Sequence, residues 1–155
     1  MSVRDHSISF QTVDIAVLDR KSNPVRVLLG KRKHEDAYRF IGGFVDVEDN
    51  SLEEAAMREL KEECGLQTLN CKYTGSFRID DPRFREGTDK IMTAFFCCDY
   101  ISGEPVASDD IHEVKWFELD GEIPIVKEHQ TLLFWLRRFQ KRYDNLLTYI
   151  EKNNG

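Results

Sequence analysis

Residues 42–66 read GGFVDVEDNSLEEAAMRELKEECGL, and this stretch decides how the rest of the chain is read. Ser51 to Cys64 has the marks of a helix. Ser51 is a good N-cap, and Glu54 three residues on completes a capping box. Glu53 and Glu54 lie in the first turn, where the helix dipole favours negative charge. Gly65 stands where a helix stops. The Gly42–Gly43 pair predicts a sharp backbone turn beside a strand. Within the helix, Glu59, Glu62 and Glu63 sit at i, i+3 and i+4, so their carboxylates share about 100° of one face. Leu52, Ala55 and Ala56 precede them on nearly the same face. Like charges at that spacing repel, and partial burial raises the cost. A positive partner is expected, and a hard divalent cation suits carboxylate oxygens. Arg58 points about 100° away from Glu59; its fork can brace a carboxylate or a loop carbonyl. The plainer alternative is a solvated acidic face balanced by Arg58 and Lys61.

Outward from this helix, the chain alternates strands and loops. Thr12–Leu18 and Val25–Leu29 read as strands, separated by a turn at Ser22, Asn23 and Pro24. Lys31–Asp36 reads as a solvated loop. Further strands are expected at about residues 72–79, 90–100 and 113–118. Between them lie a charged loop from Asp80 to Asp89 and another from about Ser102 to Asp110. A second helix runs from Glu128 to about Lys152. Its apolar positions Leu132, Leu133, Leu136, Phe139, Tyr143, Leu146, Leu147 and Ile150 give one apolar face. Its basic residues Arg137, Arg138, Lys141 and Arg142 read as a solvated outer face. Strands mixed with two helices make an α/β domain, and 155 residues fit one such domain.

Composition excludes several classes. The net charge of -6 argues against broad nucleic-acid binding. No apolar run approaches a membrane span, and the N-terminus lacks a signal-peptide core. A cytoplasmic protein is therefore expected. Cys64, Cys71, Cys97 and Cys98 form no metal-ligand spacing and read as reduced thiols.

The quoted stretch resembles the Nudix box, G-x5-E-x7-R-E-U-x-E-E-x-G-U, in which U is a bulky aliphatic residue. Arg58, Glu59, Leu60, Glu62, Glu63, Gly65 and Leu66 match without a gap, and Gly43 matches after one extra loop residue. The first glutamate of the box would fall at Asn50, with Glu48 and Asp49 beside it. The resemblance implies a Nudix fold, a mixed β-sheet sandwiched between α-helices. It implies a magnesium- or manganese-dependent hydrolase of diphosphate linkages. Glu59, Glu62 and Glu63 would be metal carboxylates, and Glu59 would also position or deprotonate water. Gly42 would lend its carbonyl to the metal, and Arg58 would orient the site. A further acid after the box is expected at Asp109 or Asp110, with Glu113 a third choice; Asp109 is taken first.

GGFVD, DPRFR at Asp81–Arg85 and EHQTLL at Glu128–Leu133 are similar to the branch that includes ADP-ribose pyrophosphatases and Nudix-like regulators of NAD metabolism. Arg83, Arg85 and Phe44 are accordingly the substrate-binding candidates. Tyr38, Phe40, Phe84 and Trp116 are further aromatics able to stack on a base or pack in a core. His129 reads as a capping or packing residue. The implied partner is a nucleoside diphosphate derivative, with ADP-ribose first, and a homodimer fits the family. The alternatives are a pyrophosphatase acting on modified nucleoside triphosphates or other nucleotide sugars, and a non-catalytic Nudix-like ligand sensor.

Overall fold

The computed structural model describes residues 6–84, 87 and 89–154. Six strands and two helices follow in the order β1 (Ser9–Asp19), β2 (Arg26–Arg32), β3 (Ile41–Phe44), α1 (Leu52–Cys64), β4 (Gln67–Ile79), β5 (Lys90–Ser102), β6 (Ile111–Glu118) and α2 (Gln130–Asn154). The sheet runs β4-β5-β1-β2-β6, with β3 also paired to β1. β1 is the hub. It lies parallel to β5 and antiparallel to both β2 and β3. The sheet is therefore mixed, as the family resemblance implies.

Alternation along β1 gives the sheet two apolar faces. Val13, Ile15 and Val17 pack with Ala55, Ala56, Leu60 and Cys64 of α1. Ala16 and Leu18 pack with Leu132, Leu133 and Leu136 of α2 on the other side. The result is a helix–sheet–helix sandwich.

Two local expectations change in and around the sheet. The Gly42–Gly43 pair makes no turn: both residues lie inside β3, opposite Asp14 and Val13, and neither has positive φ. Small size is the requirement, because a Cβ on Gly42 would overlap the Val13 carbonyl oxygen and come within 2.9 Å of the Asp14 Cα. Cys71 and Cys98 are not free thiols. They come together where β4 pairs with β5 and are joined in a disulfide, leaving Cys64 and Cys97 free and buried. Spacing along the chain carries no sign of such a cross-strand contact.

The apolar stripe of α2 is only half used. Its last buried residue is Gln140, and every residue from Lys141 to Asn154 is exposed. Of the basic residues on this helix, Arg137 is not a solvated ornament. It donates to the carbonyls of Leu119 and Gly121 at 2.8 and 2.7 Å and so ties α2 to the loop after β6. No helix among the described residues is long and apolar enough to cross a membrane.

Candidate active site

Helix α1 is fixed at both ends by its own sequence. Ser51 accepts the Glu54 N–H at 3.0 Å, and the Glu54 carboxylate accepts the Asn50 N–H at 2.9 Å. Gly65 takes the left-handed conformation, φ 65°, and its N–H returns to the Lys61 carbonyl. The helix turns Ala55, Ala56, Glu59, Leu60, Glu63 and Cys64 inward. Two of the three box glutamates therefore lie on the packing stripe. Glu59 is 7% and Glu63 3% exposed, whereas Glu62 sits at the rim.

Each buried carboxylate meets one of the two glycines of β3. Glu63 Oε2 accepts the Gly42 N–H at 3.1 Å. A Cβ on Gly43 would stand only 2.6 Å from Glu59 Oε1. Side-chain-free backbone is what admits the two acids to the strand. Burial pushes the Glu63 carboxyl up to about 8. The Gly42 N–H opposes the shift, while Glu59 and Asp110 add to it. Burial also raises Glu59, against the pull of Arg58.

Arg58 is the cation nearest these acids. Its fork bonds Asp49 through Nε and Nη2 at 3.0 and 2.8 Å. Nη2 also donates to the Phe44 carbonyl, and Nη1 reaches both Glu59 and Glu62 at 3.1 Å. It braces a carboxylate and a loop carbonyl at once. Of the two acids flanking the missing box glutamate, the bond goes to Asp49, not Glu48. Asn50 instead spends its N–H on the helix cap.

The loop after β5 supplies the next acids. Ser108 N–H and Val106 N–H donate to the carbonyls of Glu63 and Cys64 at 3.0 and 3.2 Å, and Ser108 Oγ donates to the Glu62 carbonyl. These bonds satisfy carbonyls that a helix C-terminus leaves open, and they bring Asp109 and Asp110 against α1. Asp109 sits in the left-handed region, φ 57°, within electrostatic reach of Glu59. Asp110 adds to the rise of the Glu63 carboxyl and forms an ion pair with Arg32 at 3.2 Å. Glu113 is occupied elsewhere, by Lys31 at 3.3 Å and by Tyr38.

On the opposite side of β3 lies a cleft of about 260 Å³. Gly42, Gly43 and Phe44 form one wall, so the strand that touches the acids also lines the cleft. Arg58, Glu59, Glu62, Glu63 and Asp109 do not line it. Arg83 does, and so do Arg32, which lies in the run expected as a solvated loop, and Arg39, for which the sequence offers no signal. Each cation has a carboxylate partner: Arg83 pairs with Asp81 at 2.6 Å, Arg39 with Glu35, and Arg32 with Asp110. Arg85 lies outside the described residues. Phe44 is 45% exposed, whereas Tyr38, Phe40 and Trp116 pack edge-on against Phe117, Phe95 and Tyr100.

The cleft floor holds a buried polar chain. Thr93 Oγ1 lies 2.6 Å from Asp14 Oδ2, and Asp14 Oδ1 faces His129 Nε2 at 3.5 Å. His129 Nδ1 accepts the Phe40 N–H at 3.0 Å. That bond leaves the ring proton on Nε2, directed at Asp14. Burial pulls the His129 pKa down to about 3 and pushes that of Asp14 up to about 7. His129 is a neutral packing residue, as its sequence context suggests. Asp14 was not singled out, because a lone acid in a β-run carries no pattern.

The acids at α1 fit a magnesium or manganese ion in donor chemistry. They present hard oxygens; the burial of Glu59 is offset only in part by Arg58, and that of Glu63 only in part by the Gly42 N–H. Among the described residues, no three acidic, histidine or cysteine side chains form a ready-made cage. Glu59 and Glu62 are both held by Arg58 Nη1.

The NUDIX domain family matches residues 9–138. An ADP-ribose pyrophosphatase of Methanocaldococcus jannaschii is 31% identical over 70% of this chain and 63% of its own length. An NAD-capped RNA hydrolase NudC of Pseudomonas aeruginosa is 30% identical over 79% of this chain and 43% of its own. The chain thus spans less than two thirds of these curated relatives. Among solved structures, the NUDIX domain of Shewanella oneidensis NrtR, complexed with ADP ribose, superposes with a TM-score of 0.72 at 20% identity, covering 90% of this chain and 94% of that one. The breadth of the family match, and a relative above 30% identity over more than two thirds of the chain, place this protein in the NUDIX domain family.

Proposed function

We propose that the protein hydrolyses the diphosphate linkage of a nucleoside diphosphate joined to another moiety. ADP-ribose is the first substrate to test, with AMP and ribose 5-phosphate as products. One observation carries the reading: Gly42 and Gly43 are shared between the acidic helix and an arginine-lined cleft. A diphosphate held in that cleft needs to cross only a side-chain-free strand edge to meet the carboxylates.

In this reading Glu59, Glu62 and Glu63 would hold Mg2+ or Mn2+, with the Gly42 carbonyl and an acid from Asp109–Asp110. An ion held there would supply Lewis-acid chemistry, polarising a phosphoryl oxygen and making water more nucleophilic. Glu59 takes the proton of the attacking water; its raised affinity for a proton suits a base. Water oxygen bonds to one phosphorus as the bridging P–O bond breaks, and the bridging oxygen leaves with the other phosphate. Arg58 orients Glu59 and Glu62 and pins the β3–α1 loop through Asp49 and Phe44. Arg32, Arg39 and Arg83 offset diphosphate charge, and the exposed ring of Phe44 is placed to stack on a base.

The relatives' names widen the panel to NAD and NAD-capped RNA, in which the same linkage recurs. A cap enters a cleft, so the net negative charge of the chain is no obstacle. The test is turnover with magnesium and with manganese on ADP-ribose, NAD, NAD-capped RNA and modified nucleoside triphosphates, with products identified. Turnover should vanish on chelation and fall about 10²–10³-fold in Glu63→Gln or Glu62→Gln. Tight ADP-ribose binding with no turnover of any compound would establish the sensor reading instead.

A further inference from the structure

The three arginines that line the cleft are not equivalent. Glu35 holds Arg39 through Nε and Nη2, and Asp81 holds Arg83 through the same two nitrogens. A guanidinium gripped along that edge has a carboxylate-matching fork already filled. Arg32 is held differently. Its Nε lies 3.2 Å from Asp110 Oδ2, an ion pair without the alignment of a hydrogen bond, and that nitrogen is buried. Among the described residues, neither Nη1 nor Nη2 of Arg32 makes a hydrogen bond.

A break in strand register brings this pair together. β2 and β6 stay in step from Arg26 opposite Glu118 to Lys31 opposite Glu113, and then Arg32 faces Ile111, so His112 is skipped. A bulge of this kind re-aims the side chains beside it. Here it sets Asp110, the residue before Ile111, level with Arg32. The Arg32 charge then bears on Asp14 and His129 at the cleft floor and on Glu35 in its wall. Asp110 bears in turn on Glu63 of α1. The pair therefore spans from the cleft to the acidic helix.

We infer that Arg32 is the arginine that contacts the diphosphate, and that Asp110 is the positioning residue that aims it. Asp110 fixes the Nε edge, and Nη1 and Nη2 are left to bond two phosphoryl oxygens. Arg39 and Arg83 keep their carboxylates and lend charge at a distance. The assignment rests on the diphosphate reading of the cleft. To that reading it adds one contact residue and a bridge from bound phosphate to the acids of α1. Arg32 and Asp110 are each about half exposed, so loss of their pair costs the fold little.

The test is calorimetric binding of the α,β-methylene analogue of ADP-ribose, whose P–C–P bridge resists hydrolysis, with excess chelator so that no metal contributes. Arg32→Ala should bind it about 10–10²-fold more weakly than wild type, the loss of a charged, two-pronged contact. Arg32→Lys should recover only part of this, because an ammonium keeps the charge without the fork. Arg83→Gln, which removes only a screened charge, should lose less than about threefold. Asp110→Ala gives the sharper sign. Removing a negative charge beside an anion site by itself strengthens binding, whereas an unanchored Arg32 should weaken it about 3–10-fold, the cost of immobilising one long side chain. In the Arg32→Ala background the same change should add no loss. Should Arg32→Ala fail to fold, Arg32→Lys and Asp110→Ala decide the matter. Tighter binding in Asp110→Ala, equal losses in Arg32→Ala and Arg83→Gln, or a wild type that does not bind the analogue overturns the inference. A protein that binds the analogue through Arg32 yet hydrolyses nothing leaves the inference standing and ends the hydrolase reading. One that hydrolyses ADP-ribose equally well without Arg32 does the opposite.

Discussion

The two glycines of β3 are adjacent and both indispensable, yet substitution should reveal different reasons. Gly42→Ala places a methyl on the backbone of the central strand, overlapping the Val13 carbonyl oxygen and 2.9 Å from the Asp14 Cα. No rotamer relieves that contact, so β3 must part from β1 and take the Gly42 N–H away from Glu63. Overpacking of this kind costs about 3 kcal/mol. At about 2–4 °C per kcal/mol for a chain of this size, the melting temperature should drop by roughly 6–12 °C.

Gly43→Ala meets only the end of a side chain, Glu59 Oε1 at 2.6 Å. Moving that oxygen out to ordinary contact shifts it by about 0.8 Å, and a displacement near 1 Å at a reacting centre costs about 10²-fold in rate. The fold should hold, with a melting temperature within about 2 °C of wild type. Thermal unfolding followed by circular dichroism, paired with turnover on ADP-ribose, separates the two effects. A Gly42→Ala protein that melts with wild type, or a Gly43→Ala protein that melts as low as Gly42→Ala, would refute this account of the strand.

Two further outcomes follow from the contacts. Asp49→Ala should lower turnover by about 10²-fold, because Arg58 loses its bidentate partner and the site its alignment. Glu48→Ala should change nothing, and equal losses in both variants would mean that the Asp49–Arg58 pair is not the brace. Asp14→Asn should change how stability depends on pH. The folded carboxyl is raised from 3.8 to about 7 by burial, with Thr93 pulling back. The native state therefore binds more protons than the unfolded chain between those values, and stability falls as pH rises through that window. The slope is roughly 1.4 kcal/mol per pH unit. Asparagine keeps the acceptor for His129 without the charge, so the variant should be the more stable protein at pH 8 and should lose this slope in urea titrations. A variant less stable than wild type at that pH would show that the charge itself is needed.

Elements with local causes were legible in the chain. Helix α1 was, because its cap, its stop and its apolar stripe all lie within a few turns and need no partner to be recognised. The same holds for the glutamate triplet, whose facing follows from helical period alone. The β-rich run Thr12–Leu18 marked β1 as a strand, while the burial of both its faces came from the two helices the fold lays against it. What the chain could not display were contacts that depend on which distant segments the sheet brings together. Spacing left Glu48 and Asp49 equivalent beside Arg58; the path of the loop from β3 chose Asp49. It likewise left Asp109 and Asp110 open, and bonds from residues 106 and 108 to the end of α1 bring both against its acids, Asp109 toward Glu59 and Asp110 toward Glu63. Arg32 looked like loop charge, Arg39 and Asp14 carried no pattern, and Cys71 and Cys98 looked like unrelated thiols. A helix carries its geometry in each successive residue, whereas a sheet sets its neighbours by register across long separations. The acids of the candidate centre were therefore written in the sequence, and the cleft across β3 from them was decided only by the fold.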